Sequence, residues 1–222
     1  LAGAFASTGV LAWVVGGVTG LSSGGVGAGG VTFDVAANYT ETIASTISRA
    51  ANGAAANTIV FQRDPSTIGA NPLITAYSGG TGTPATATQD GIWRLLGSDY
   101  VTIDVIDLKG NAANTTNPST MEYGYALYKT SATDGCQFVS INNCVITLNR
   151  INNDAGTGPM VDGSTGILSA NSTATTATTS ITVTSSAGTN SNNSFYNNTI
   201  QNCNTGIALI GYAAGSPFSL AD

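Results

Sequence analysis

Histidine is absent, and lysine and arginine together number only six among 222 residues. Without histidine there is no Ser-His-Asp triad, no histidine-ligated zinc and no imidazole general base. So few cations, under a net charge of −6, argue against nucleic acid as a partner, because neutralising phosphates takes clustered Lys and Arg. Charged residues are 8% of the chain, about a third of the usual share. The polar surface must therefore come from Asn, Thr, Ser and Gly, a composition that favours an extracellular β protein.

Cysteine is scarce too. Cys136, Cys144 and Cys203 fit no CxxC metal or redox spacing. They read as small buried hydrophobes, with three disulfide pairings left open. No metal or cofactor is expected. Residues 1–33 carry no charge, the first being Asp34. Leu1 to Gly20 is long enough to cross a membrane, but glycines interrupt it and no Lys or Arg flanks it. Residues 1–30 are expected to form a Gly-rich N-terminal cap packed through Val10 to Val18, and residues 31–222 the main repeat. Leu1 is not an initiator Met, which suggests a piece of a longer protein. Gly25-Val26-Gly27-Ala28-Gly29-Gly30 matches GxGxxG, but a strand follows it where a dinucleotide site needs a helix, so it is a turn.

What the chain has is repetition. A Gly-led strand recurs as Gly91-Ile92-Trp93-Arg94-Leu95, Gly124-Tyr125-Ala126-Leu127, Gly166-Ile167-Leu168-Ser169 and Gly206-Ile207-Ala208-Leu209. A second pattern aligns Ile103, Ile141 and Phe195 in one column and Leu108, Ile146 and Ile200 in another. Val31–Val35, Asn57–Gln62 and Pro72–Tyr77 read as further strands, and the Ala content of Ile43 to Ala56 allows a turn or two of helix. Stacked columns of this kind predict an all-β fold, a right-handed parallel β-helix, because one coil cannot bury its inward face alone. An antiparallel β-sandwich is the alternative. Asn142-Asn143 and Asn197-Asn198 suit the bends, where Asn tolerates left-handed backbone and stacked amides can share hydrogen bonds. Asn111 to Glu122, Asn149 to Thr165 and Asn171 to Asn193 are insertions that leave the solenoid as loops. Such loops tend to lie on one face, often the binding face.

The ordered strings Gly30-Val31-Thr32-Phe33-Asp34-Val35, Tyr39-Thr40-Glu41-Thr42-Ile43, Asn57–Gln62, Asp99–Asp104 and Ile141–Ile146 resemble those of secreted right-handed β-helix proteins of Bacteroidetes. Here Gly30 stands where that family has a Pro-containing turn, and no C-terminal sorting domain lies within these residues. The resemblance implies export by the type IX route and a place on the cell surface or outside it.

Two functions follow as expectations. The first is an extracellular structural or adhesive element without enzymatic activity, binding surface glycans or neighbouring protein copies, with Tyr123, Tyr125, Asn152 and Asp154 as candidate binding residues. The alternative is a polysaccharide lyase or glycoside hydrolase using Asp104 and Asp107 with Lys109 as the nearby cation. The next coil offers Asn142 and Val145 at the aligned positions, so no carboxylate column forms, and a solvated or bend-stabilising role for the aspartates is favoured. A filament subunit stacking end to end is a third option.

Overall fold

The structure, a computed structural model, describes residues 26–151, 155–156, 161–215 and 222. The expected cap, apart from its last residues, lies outside them. Each turn of the chain contributes three short strands, and five such coils stack. The first coil is β1 (Val31–Val35), β2 (Thr40–Thr42) and β3 (Ile47–Arg49). The second is β4 (Ile59–Arg63), β5 (Leu73–Thr75) and β6 (Gly91–Leu96), and the third β7 (Val101–Asp104), β8 (Asp107–Lys109) and β9 (Tyr123–Tyr128). The fourth is β10 (Ser140–Asn142), β11 (Val145–Thr147) and β12 (Thr165–Ala170), and the fifth β13 (Ser194–Tyr196), β14 (Thr199–Gln201) and β15 (Thr205–Leu209).

Equivalent strands pair in parallel. Sheet A is β1-β4-β7-β10-β13, sheet B β2-β5-β8-β11-β14 and sheet C β3-β6-β9-β12-β15. This is the right-handed parallel β-helix. Every ladder between named strands among the described residues is parallel, so the sandwich alternative is set aside. The helical turn expected between Ile43 and Ala56 is also corrected. That stretch forms β3, whose Ile47 and Arg49 pair with Trp93 and Leu95.

The register is the one the aliphatic columns require. Ile103, Ile141 and Phe195 are direct neighbours in sheet A. Leu108, Ile146 and Ile200 are neighbours in sheet B. Ile103, Ile141, Leu108 and Ile146 are at most 1% exposed. Each such side chain contributes roughly 1.5–3 kcal/mol by leaving water. An interior aromatic run crosses between sheets. Phe33 stacks on Phe61 at 4.9 Å, Phe61 meets Trp93 edge-on at 5.2 Å, and Trp93 lies 6.1 Å from Tyr125.

Glycine in the Gly-led strands answers a lack of room. A Cβ on Gly124 would lie 2.7 Å from Ile146 Cγ2 and 2.7 Å from the Gly166 carbonyl, and one on Gly166 would lie 2.4 Å from Ile200 Cγ2. The sheet B aliphatic column thus presses against sheet C at these glycines. Gly91 stands one place out of step, opposite Tyr123, and the fully buried Ile92 occupies the glycine's place in that coil.

Truncating Ile141 to Ala should cost about 2–5 kcal/mol, while Thr199→Ala on the outer face should stay within about 0.5 kcal/mol. Urea unfolding of the two variants checks the difference.

Candidate functional site

The corners decide which faces are open. Asn111–Glu122 and Asn149–Thr165 leave between sheets B and C, whereas Asn171–Asn193 leaves between sheets C and A. They flank sheet C from both sides rather than lying together on one binding face. The outer side of sheet C carries Ser48 and Arg94 in its first two coils and is mostly apolar beyond them. Ala126, Leu168 and Ala208 stack there, as do Leu96, Tyr128 and Ala170, and such a surface needs cover. The loop after β12 supplies it with Ala174 and Ala177. Ala177 N donates to Ala87 O at 2.7 Å, joining the loops from opposite corners. The Asn171–Asn193 insertion therefore builds a second core against sheet C.

Two candidate binding residues are buried, Tyr123 in this second core and Tyr125 in the main one. Tyr123 is 0% and Tyr125 1% exposed. The Tyr125 ring lies inside the prism, its hydroxyl donating to Ile106 O at 2.9 Å. Tyr123 packs edge-on against Tyr128 at 5.8 Å beneath the loops. Burial pushes the hydroxyl pKa of both well above the usual tyrosine value. Neither ring can stack on a sugar in this structure. Asn152 and Asp154 lie outside the described residues. Asn114, Thr115, Asn149, Arg150, Ile151 and Asn202 line an open depression of about 350 Å³ at the corner between sheets B and C.

Asp104 and Asp107 sit on either side of the tight corner between sheets A and B. Asp104 Oδ1 accepts from Asn143 Nδ2 at 2.6 Å. Asp107 Oδ1 accepts from Val145 N at 2.8 Å and from Asn71 Nδ2 at 3.1 Å. Lys109 ends β8 two residues on, exposed, and Asn142 pairs with Asp104 as the sequence alignment expects. Both carboxylates thus hold corners of adjacent coils together.

Amides continue this work. Asn197 Nδ2 donates to Asn143 Oδ1 at 2.5 Å, the coil-to-coil bond anticipated for stacked asparagines. Asn198 instead bonds main chain, accepting from Cys144 N at 3.0 Å and donating to Ile141 O at 2.8 Å. Asn142 turns back to Ser140 Oγ at 3.1 Å. Val105, Asn143 and Asn197 make the turn with φ of 58°, 56° and 53°.

On the outer face of sheet A every outward residue but Asn142, which is 4% exposed, is half-buried or exposed. The outward columns of this face are Thr32, Val60, Thr102, Ser140 and Ser194, then Asp34, Gln62, Asp104, Asn142 and Tyr196. No Lys or Arg stands in either. An aromatic rim borders it at the corner with sheet C. Tyr100 and Phe138 stack with centroids 4.5 Å apart and planes 8° from parallel, and Phe138 is 42% exposed. Both adopt the left-handed region, with φ of 53° and 55°, which costs a bulky residue about 1–3 kcal/mol. Tyr196, 56% exposed, stands at the far edge. Tyr100 and Phe138 are not among the binding candidates that the sequence offers. Counting by two from the inward Ile103 and Ile141 puts Thr102 and Ser140 outward, and the same parity, carried to the corner, puts Tyr100 and Phe138 on that side.

The three thiols are free, with Cys136 and Cys144 buried and Cys203 half-buried. Burial raises Cys136 to about 12 and Cys144 to about 11. Among the described residues no three His, Cys, Asp or Glu side chains form a metal-binding group, and no helix is long and apolar enough to cross a membrane. No family model, no curated protein and no solved structure matches this chain.

Two outcomes follow. Alkylation of the native protein near neutral pH should leave Cys136 and Cys144 unmodified, because the thiolate is the reactive form; peptide mass mapping reads this. Asp107→Ala strands the Val145 N–H and should lower stability by about 1–3 kcal/mol in urea unfolding, whereas a carboxylate held only for catalysis could be removed without loss.

Proposed function

We propose that this chain is an extracellular, cell-surface β-helix of structural or adhesive character that holds neutral glycans on the outer face of sheet A. The observation that carries the reading is the composition of that face. Stacked and edge-standing aromatic rings, Tyr100–Phe138 and Tyr196, border columns of hydroxyl, amide and carboxylate groups without a cation. Aromatic faces cover the C–H side of a sugar ring, and the polar columns offer donors and acceptors to its hydroxyls. An acidic polysaccharide would meet Asp34 and Asp104 and find no Lys or Arg in either column. The rigid prism presets the spacing of these groups, which lowers the entropy lost on binding.

The surface location, with export by the type IX route, rests on the resemblance to secreted β-helix proteins and on the low charge content. For the lyase or hydrolase alternative, Asp104 and Asp107 are engaged with amides of adjacent corners, and no observation favours it.

Titration of soluble neutral glucans and xylans by calorimetry, against polygalacturonate, tests the reading. Neutral chains should bind, and Phe138→Ala combined with Tyr196→Ala should weaken that binding roughly tenfold, about 1.4 kcal/mol. The circular dichroism spectrum should not change. Binding confined to polygalacturonate, or affinity indifferent to both substitutions, would overturn it.

A further inference from the structure

The corner between sheets C and A carries a ladder of its own, which ends in a buried ion pair. Ala51 N donates to Ser98 Oγ at 3.3 Å, and Ser98 N to Cys136 Sγ at 3.4 Å. Cys136 N donates to Asn190 Oδ1 at 2.8 Å, and Asn190 N to Asp222 Oδ1 at 2.8 Å. Asp222 thus occupies the rung above Asn190, and its Oδ2 accepts from Tyr212 N at 3.1 Å. Lys129, just past β9, reaches this rung from the third coil. Its Nζ lies 2.9 Å from Asp222 Oδ2 and 3.0 Å from Oδ1, and donates to Gly188 O at 2.7 Å. The two side chains are 0% and 4% exposed, and this is the one salt bridge among the described residues.

A dry ion pair is an expensive arrangement, because desolvation offsets much of the attraction. Burial pushes the Lys129 ammonium down while Asp222 pulls it back up. Moving one proton from Nζ to the carboxylate along the existing hydrogen bond leaves a neutral amine against a neutral acid. Those are the species from which an amide forms. Backbone N–H groups of Asn190 and Tyr212 hold the two carboxyl oxygens, as donors must to stabilise a tetrahedral oxyanion. Fixed contact removes the entropy cost of bringing the groups together.

We infer that Lys129 and Asp222 join in an intramolecular isopeptide bond. The Nζ lone pair attacks Cγ, the Nζ–Cγ bond forms and the Cγ–OH bond breaks. The hydroxyl leaves with the second Nζ proton as water, and the remaining amide N–H keeps its bond to Gly188 O. No oxidant, reductant or co-reactant is required. The link ties the corner of the third coil to that of the fifth, a covalent strut along the prism axis. It is independent of the glycan face.

Intact mass of the denatured chain tests it. The wild type should weigh one water less than its sequence, and a protease digest should release a branched peptide joining residues 129 and 222. Lys129→Arg and Asp222→Ala should each restore the full mass. If either variant fails to fold, the wild type still decides. A full sequence mass with Lys129 open to amine labelling after denaturation would overturn the inference, as would a lost water without the branched peptide.

Discussion

The fold depends on one constraint: aliphatic side chains of successive coils must stand in register inside the prism. Ile103, Ile141 and Phe195 align across sheet A and Leu108, Ile146 and Ile200 across sheet B. A slip of one residue would turn each set to the solvent. The same crowding explains why Gly124 and Gly166 face Ile146 and Ile200, and why the polar residues between the aliphatic ones form outward columns. A surface of stacked hydroxyls and amides is a by-product of packing the interior.

Registers need fixing at the corners as well as in the core. The corners use side-chain bonds to the main chain or to a like side chain one coil away, through Asp104, Asp107, Asn143, Asn190 and Asn198. Asp104 and Asp107 serve these bonds, which is why the two carboxylates do not assemble into a reacting pair. Sheet C differs. Beyond Ser48 and Arg94 its outward residues are mostly apolar, and the insertion after β12 folds across it, so the outer faces of sheets A and B stay open, and sheet A has the aromatic borders.

The strands of sheets A and B, apart from β2, were legible because Val, Ile, Phe and Tyr alternate with Thr, Ser and Asn at a fixed spacing. Strand β3 was not. Its Ile47-Ser48-Arg49 puts an arginine at an inward position, so alternation gave no signal within an Ala-rich stretch. The burial of Tyr123 was equally hidden, because the residues that cover it come from Ala174 and Ala177, far along the chain. Tyr125 was readable as interior, since it shares a column with Ile167 and Ile207. The column of Ile103 and Ile141 already aligns Tyr100 with Phe138, but their stacking at the corner is visible only in the structure. Nothing in the spacing of Lys129 and Asp222 announces that they meet.

Distances between outward labels test the stacking most directly. Spin labels are placed in pairs, one at Thr32 and the other at Val60, Thr102, Ser140 or Ser194, and read by electron paramagnetic resonance. Stacked coils predict that each pair lies one rung farther apart than the last, about 4.8 Å per rung. Separations that fail to grow in that order would contradict the parallel prism and, with it, the glycan-binding face.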